Sequence, residues 1–365
     1  MPSSRAAVVE ATPGAPRIDT IDVADPGWGE VLIRTAASGV CHSDLHALHD
    51  HGVAIPTPFV LGHESAGVVE AVGPGVRGLR PGDHVATCLS VFCGHCPACV
   101  SGEPFRCFVD EFARRADDAP RLSRAGSPIN QHVGLGSFSE LMLVSRNNVV
   151  KIRKEMPLDR ACLLGCGVLT GVGAVLNTAQ VAPGSSVAVI GVGGVGLAIV
   201  QGARLAHAST IIAVDIDEDK LALAERLGAT HTVNSATEPD VVAAVQQATR
   251  GGAQHVFEAI GNARTAQQAV AITGAFGTTT IVGILDSDAT VTLSGLDLMM
   301  GKRVQQSLMG SNRFVADIPL LVDHYLSGRL ELDHLISSRT SLDGLPTALE
   351  NLQAGRVLGR TVVVF

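Results

Sequence analysis

The chain has few aromatic and charged residues: it contains one Trp and one Tyr among 365 residues, and charged residues make up 17%. It has no basic run and a formal net charge of −8. A nucleic-acid-binding surface needs clustered Lys and Arg, so none is expected. No apolar run approaches the ~20 residues that cross a bilayer, and the first residues lack the apolar core of a secretory signal. We therefore expect no membrane partner and a cytoplasmic location.

Cysteine is present, but its pattern is not that of a disulfide framework. Such frameworks are typical of small secreted chains, whereas this chain has 365 residues and eight cysteines. Four of them, Cys93, Cys96, Cys99 and Cys107, are clustered. Thiolates at this spacing can surround one tetrahedral zinc and leave no open position. The alternative is four free thiols in a loop, which would oxidise or scavenge metal. We therefore predict a structural zinc lobe at 88–108.

The length favours two domains, each with its own core. The first ninety residues contain short apolar segments broken by Gly and Pro, which predict an all-β, barrel-like domain. These predicted strands lie at 6–10, 30–37, 66–72 and 84–87. Residues 109–132 are charged and irregular, so we predict a solvated surface loop there. Strand character returns at 136–152, and a small apolar helix is predicted at 161–174.

A glycine-rich turn marks the second half. An apolar run at 187–190 precedes Gly191, Gly193 and Gly196, and the next apolar strand ends at Asp215. Strand, glycine turn, helix, strand and acid together are typical of a dinucleotide site, with the pyrophosphate at the helix N-terminus and the carboxylate on the ribose. The acidic residues after Asp215 would repel a 2′-phosphate, which favours NAD over NADP. The alternative is a βαβ unit that binds nothing.

Alternating helices and strands follow, which predicts a doubly wound, six-stranded parallel sheet. The helices are predicted near 220–227, 241–249, 264–272 and 296–301, and the further strands near 231–234, 255–259, 278–283 and 304–309. A helix near 318–326 and a strand at 360–365 are predicted to return to the first domain.

Several short motifs resemble those of one family. They are residues 39–46 (GVCHSDLH), 62–64 (GHE), the four-cysteine lobe, Cys166-Gly167 and the glycine turn with Asp215. In that order, over nearly the whole chain, they resemble the zinc-dependent medium-chain alcohol dehydrogenases. The resemblance implies an α/β chain with two domains. A GroES-like β-barrel catalytic domain would span 1–166 and 313–365, and a Rossmann NAD-binding domain would span 167–312.

The resemblance also implies roles for individual residues. The ligands of a catalytic zinc, the second of two zincs per chain, would be Cys41, His63 and Cys166, with the fourth position open. Asp44 and Glu64 would orient these ligands. Ser43 would relay a proton toward His46, because histidine exchanges protons near neutral pH. Further residues would bind the cofactor: His42 the pyrophosphate, Thr170 and Val195 the nicotinamide side, Lys220 the ribose, and Arg360, or else Arg356, a phosphate.

Four apolar residues occupy positions where the family places substrate contacts: Leu89, Phe138, Ile284 and Leu308. They favour an apolar primary alcohol or aldehyde, although each can equally be a core residue. One alternative is a thiol-dependent formaldehyde dehydrogenase. Where its acidic residues are expected the chain has Gly52 and Ala54, although His49, Asp50 and His51 lie nearby. The other alternative function is a non-catalytic NAD(H)-binding scaffold, which would lack one zinc-ligand set.

A homodimer is expected from the long loop before Phe138, with a tetramer as the alternative.

Overall fold

The computed structural model describes residues 2–49, 55–109, 114 and 118–365. The strands are β1 Ser3–Val9, β2 Arg17–Val23, β3 Glu30–Gly39, β4 Phe59–Val60, β5 Glu64–Val72, β6 His84–Thr87, β7 Leu122–Arg124, β8 Ser127–Gln131, β9 Leu141–Ser145, β10 Val149–Lys151, β11 Ser186–Ile190, β12 Thr210–Asp215, β13 His231–Asn234, β14 Ala253–Glu258, β15 Thr273–Ile281, β16 Arg303–Gln306, β17 Ile336–Thr340 and β18 Arg360–Val364. The α-helices are α1 His42–Leu48, α2 Pro97–Val100, α3 Leu158–Ala161, α4 Gly167–Gly173, α5 Gly194–Leu205, α6 Glu218–Leu227, α7 Val241–Ala248, α8 Ala263–Ile272, α9 Gly295–Met299, α10 Phe314–Leu326 and α11 Leu345–Gln353. Short 3₁₀ turns lie at Pro104–Arg106, His132–Gly134, Arg146–Asn148, Cys162–Gly165, Met309–Ser311, Asp333–Leu335 and Leu342–Gly344, and a π-helical turn at Ala174–Thr178.

The chain forms two compact units. The first unit comprises Met1–Cys166, Arg313–Ser327 and Ile336–Phe365, and the second comprises Gly167–Asn312 and Gly328–Leu335. The sequence predicted residues 328–335 to belong to the first domain, whereas the structure places them in the second unit.

The first unit is built from β-strands. Strands β1, β2, β7, β8 and β4 close a barrel, and β10, β6, β5, β3, β18 and β17 form a neighbouring sheet in which β9 also pairs with β3. The C-terminal strand β18 lies antiparallel to β3, with Val363 opposite Ser38. The C-terminal residues therefore lie in the same sheet as β3, the strand that precedes α1.

The prediction of a surface loop at 109–132 is wrong for its second half. Leu122 and Ile129 lie on facing strands, β7 and β8, and their side chains are buried in the barrel core. Arg124 of β7 binds Glu10 at 2.6 Å and Asp19 at 2.8 Å, so a charged residue of this segment is paired within the barrel strands. Positions 110–113 and 115–117 lie outside the described residues.

The second unit contains six parallel strands in the order β13, β12, β11, β14, β15, β16. Strands β11 and β12 are nearly continuous apolar runs, and Val187, Val189 and Ile212 are fully buried. Such runs are typical of parallel strands that are covered on both faces. The predicted barrel and the predicted doubly wound, six-stranded sheet are therefore confirmed.

The single helix predicted at 161–174 is interrupted at Cys166. Helix α3 tightens into the 3₁₀ turn Cys162–Gly165, Cys166 leaves helical geometry with φ −141° and ψ −82°, and α4 begins at Gly167. At Gly165 a Cβ would lie 2.0 Å from the carbonyl oxygen of Thr87. Only glycine allows the backbone to approach β6 so closely at the residue before Cys166.

Among the described residues, no single helix is both long and apolar enough to cross a membrane. One pair of short helices with a bend between them reaches the length and apolar composition of a membrane span, and only these two criteria.

Candidate functional site

The four cysteines of the lobe converge on one position. The Sγ atoms of Cys93, Cys96, Cys99 and Cys107 all lie within 4.8 Å of one another. The backbone N–H of Cys96 donates to Sγ of Cys93 at 3.2 Å, and that of Cys93 donates to Sγ of Cys107 at 3.3 Å. Desolvation would raise the pKa of Cys93, but N–H donors, including that of Cys96, lower it to about 6. Four sulfur donors that converge on one position fit a closed zinc site.

A second donor cluster lies in the first unit. Cys41 precedes α1, His63 follows β4, and Cys166 lies at the helix break; their donor atoms and a carboxylate oxygen of Glu64 lie within 4.8 Å of one another. All four residues are buried. Nε2 of His63 makes no hydrogen bond to any described residue. A buried imidazole nitrogen without a partner, facing two thiols, fits a metal ligand.

Asp44 connects two of these donors. It is fully buried, its Oδ2 accepts the backbone N–H of Cys41 at 2.9 Å, and its Oδ1 accepts Nδ1–H of His63 at 3.0 Å. The first bond is part of the capping box that begins α1. The second fixes the tautomer of His63 so that Nε2 is free to bind metal. Burial opposes ionisation of Asp44, but His63 and His132 lower its pKa.

Glu64 and Arg360 lie beside the same cluster. Arg360 is 5% exposed, and its guanidinium lies 3.3 Å from Oε1 of Glu64 and 3.5 Å from Sγ of Cys41. Arg356, by contrast, is exposed and binds Oδ1 of Asn351 at 2.8 Å. Burial raises the pKa of Glu64 to about 7, although Arg360 opposes the shift. Arg360 is thus a buried cation beside the cluster. A carboxylate oxygen of Glu64 lies as close to the donor atoms of Cys41, His63 and Cys166 as these lie to one another, so Glu64 is placed both to bind a metal ion and to orient its ligands.

The predicted relay residues belong to α1. Ser43 is half-buried, and its Oγ lies 3.8 Å from Sγ of Cys41. His46 is also half-buried, one helical turn further along α1, while His42 is exposed at the first position of the helix. Residues three apart lie on one face of a helix, so Ser43 and His46 lie on the same face of α1.

His132 is a member of the site that the sequence did not reveal. Its Nδ1 lies 3.4 Å from Oδ1 of Asp44, and its ring centroid lies 5.1 Å from that of His63. No motif or spacing marks this residue, which lies in the segment predicted as a surface loop. Only the closure of the barrel brings it to Asp44.

The glycine turn has the geometry predicted for a dinucleotide site. Gly191 has φ +86°, and a Cβ at Gly196 would lie 1.9 Å from the carbonyl oxygen of Gly191. A Cβ at Gly193 would meet nothing within 4 Å, which leaves space beside the backbone there. Asp215 lies at the end of β12, and its Oδ2 accepts the backbone N–H of Val192 at 2.8 Å. The carboxylate therefore holds the turn in place and borders the space that a ribose would occupy.

Three further residues that were predicted to bind the cofactor differ in how buried their side chains are. In the second unit Val195 and Lys220 are half-buried, whereas Thr170 is buried, with its hydroxyl 3.6 Å from Sδ of Met309.

Two of the predicted pocket residues belong to each unit. Leu89 is half-buried, and Phe138 is fully buried in a core cluster of the first unit. Ile284 and Leu308 are 60% and 39% exposed in the second unit. Positions 50–54, including Gly52 and Ala54, lie outside the described residues.

Comparison with known proteins gives consistent matches over the chain. Residues 27–154 match the family model of the alcohol dehydrogenase GroES-like domain, and residues 194–323 match that of zinc-binding dehydrogenases. An S-(hydroxymethyl)glutathione dehydrogenase from Escherichia coli O1:K1 / APEC is 38% identical over 367 residues, covering 99% of each chain.

Two solved structures are similar over the whole chain. The alcohol dehydrogenase zinc-binding domain protein from Burkholderia ambifaria is 37% identical with a TM-score of 0.94, and the match covers 100% of this chain and 99% of that one. Benzyl alcohol dehydrogenase from Acinetobacter calcoaceticus is 34% identical with a TM-score of 0.91, and the match covers 100% of both chains.

Proposed function

This chain belongs to the zinc-dependent medium-chain alcohol dehydrogenases, and on that premise we propose that it transfers a hydride between an apolar primary alcohol or aldehyde and NAD(H). The observation that carries the proposal is the buried cluster of Cys41, His63 and Cys166. Three protein ligands are the number that catalytic zinc sites have. A zinc ion held there would act as a Lewis acid on the substrate oxygen. A non-catalytic scaffold is disfavoured because both donor sets are complete.

The residues around the cluster would orient the ligands and move the proton. Asp44 holds His63 with Nε2 directed into the cluster. The hydroxyl of Ser43 would take the proton of the substrate hydroxyl and pass its own toward His46. His46 is half-buried, so it can exchange that proton with solvent. Arg360 places a buried positive charge beside Cys41, which favours the thiolate form of that ligand.

Asp215 supports NAD as the cofactor. We predict that Asp215→Ala lowers kcat/KM for NAD about 10-fold to 100-fold, since a charge-assisted hydrogen bond contributes about 1.5–3 kcal/mol. The ratio of NADP to NAD activity should rise, because a carboxylate that repels a 2′-phosphate is gone. Steady-state kinetics with both cofactors measure these effects.

A matched control is Asp240→Ser, which removes one charge elsewhere in the second unit. Asp240 is the N-cap of α7 and accepts the backbone N–H of Ala243, a bond that serine can also accept. The Asp240→Ser variant should have the same preference between NAD and NADP as the unchanged protein. Equal NAD kinetics for Asp215→Ala and Asp240→Ser would contradict the role of Asp215.

The apolar character of Leu89, Ile284 and Leu308 supports the choice of substrate. We predict that benzyl alcohol is oxidised with a kcat/KM more than about 100-fold above that of ethanol, because each methylene placed in an apolar pocket contributes about 1–3 kcal/mol. The measurement is a panel of ethanol, medium-chain alcohols and benzyl alcohol with NAD, on zinc-replete protein. Cys166→Ala provides the background rate.

A second candidate function is the thiol-dependent oxidation of formaldehyde, as named for the relative that is 38% identical. Turnover of formaldehyde with and without glutathione or another thiol distinguishes the two functions. Our proposal expects little thiol dependence. A large stimulation by thiol, with weak activity on benzyl alcohol, would favour the second function.

Homodimer formation is also part of the proposal. Strand β16 lies at the edge of the six-stranded sheet. Apolar side chains in and before it are exposed, among them Leu298 at 62% and Met299 at 73%. An exposed apolar edge of this kind is typical of a subunit interface.

A further inference from the structure

We propose that His132 is a positioning residue that acts through the carboxylate of Asp44 to hold the imidazole of His63 in its metal-binding orientation. The inference rests on the proposed function, because it assumes that His63 is a ligand of the catalytic zinc. No role for His132 follows from the motifs of the chain.

The surroundings of His132 leave Asp44 as its polar partner. The residue is 4% exposed, and its Nδ1 is buried and makes no well-aligned hydrogen bond to any residue that the structure describes. That nitrogen lies 3.4 Å from Oδ1 of Asp44. A buried polar nitrogen without a partner is costly, so the short distance to a carboxylate oxygen indicates an electrostatic contact with Asp44.

The carboxylate of Asp44 is therefore surrounded on three sides. Its Oδ2 accepts the backbone N–H of Cys41 at 2.9 Å, and its Oδ1 receives Nδ1–H of His63 at 3.0 Å and faces His132. One carboxylate oxygen has lone pairs for two donors, so both imidazoles can share Oδ1. With three groups around it, the carboxylate has one orientation, and this orientation fixes the hydrogen bond that directs His63.

The two rings also contact each other directly. The planes of His63 and His132 meet at 72° with their centroids 5.1 Å apart, so the edge of one ring packs against the face of the other. On another side, the ring of Phe59 lies 6.3 Å from that of His132. Rotation of the His63 ring away from the cluster would displace His132, which is itself enclosed.

The turn that carries His132 is shaped for this placement. Val133 follows with φ 44° and ψ 38°, in the left-handed region that β-branched residues rarely occupy. The carbonyl oxygen of His132 accepts the backbone N–H groups of Leu135 and Gly136. The turn is therefore held by hydrogen bonds in a conformation that Val133 disfavours, and it directs the imidazole toward Asp44.

The test measures zinc retention, with the four-cysteine lobe as an internal reference. The unchanged protein, loaded with two zincs per chain, is exposed to a chelator, and the release of each zinc is followed with a metal indicator. In His132→Phe the ring remains but the nitrogen is lost, so one zinc should leave about 10-fold to 100-fold faster, as is typical when a group behind a ligand is removed. The other zinc should leave at the unchanged rate.

Two further variants separate positioning from simple packing. His132→Asn places an amide N–H at the position of Nδ1 and should restore slow release. His84→Phe makes the same exchange at another histidine of the first unit whose Nδ1 is buried without a partner, and it should change neither release rate. Unchanged release in His132→Phe, faster release of both zincs, or failure of His132→Asn to restore retention would each overturn the role of His132. If the unchanged protein binds fewer than two zincs, the proposed function itself fails, which is a separate outcome.

Discussion

Replacing Cys166 with alanine should abolish alcohol oxidation while the protein remains folded. The variant removes one of three proposed ligands of the catalytic zinc. Lewis-acid stabilisation of the transition state contributes several kcal/mol, so kcat should fall about a thousand-fold or more. Metal analysis should find one zinc per chain instead of two, because the four-cysteine lobe does not involve Cys166. Kinetics, zinc content and a thermal unfolding curve on the same preparation measure all three effects.

Cys162→Ala is the matched control for that variant. Cys162 lies four positions earlier, is fully buried, and places its Sγ 3.3 Å from the carbonyl oxygen of Asp159. Its Sγ does not belong to the donor cluster, and burial raises the pKa of its thiol well above the usual value. It should keep both zincs and nearly normal turnover. A normal kcat for Cys166→Ala would disprove the proposed ligand set.

Replacing Cys99 with alanine should strongly destabilise the protein. The lobe at 88–108 contains α2 and one short 3₁₀ turn. Three of its four proposed ligands are only half-buried, and the fourth, Cys107, is buried. With so little apolar core, its fold depends on the metal, and losing a structural metal site costs more than about 4 kcal/mol. Because 1 kcal/mol shifts Tm by about 2–4 °C in a folding unit the size of the first unit, which carries the lobe, the Tm of that unit should fall by roughly 10 °C. Thermal unfolding with and without added zinc measures the loss.

Cys88→Ala provides the comparison for Cys99→Ala. Cys88 is the first residue of the lobe but is not one of its four proposed ligands; it is fully buried, and burial raises the pKa of its thiol to about 11. Its removal should lower Tm much less and should leave the stabilisation by zinc intact. An unchanged Tm for Cys99→Ala, or an equal loss in both variants, would show that the lobe does not depend on metal.

Much of the fold follows from local sequence patterns. The apolar runs of β11 and β12 and the glycine turn between them predicted a buried parallel strand pair, because covered strands need apolar residues on both faces. The loop predicted at 109–132 shows where such patterns fail. Leu122 and Ile129 are single apolar residues among polar and charged ones, too few to indicate a strand by alternation. They form β7 and β8 only because the barrel offers neighbouring strand edges and a core for them.

The helix predicted at 161–174 illustrates the same limit. Its small apolar residues are compatible with a continuous helix, but the helix breaks at Cys166, next to the point where Gly165 closely approaches the carbonyl oxygen of Thr87. That contact involves a distant strand, so no local propensity indicates it. It matters for the site, because a continuous helix would not present Cys166 in the same way.

What the sequence alone determined are the features whose parts lie close together along the chain. The four thiols of the lobe and the three glycines at the start of α5 are held near each other by chain connectivity, so their spacing is sufficient to predict their chemistry. The tertiary structure decided the rest. Arg360 lies 319 positions from Cys41 yet contacts it, and His132 reaches Asp44 only through closure of the barrel. Such contacts depend on strand register and on burial, which are properties of the packed chain and not of any short segment.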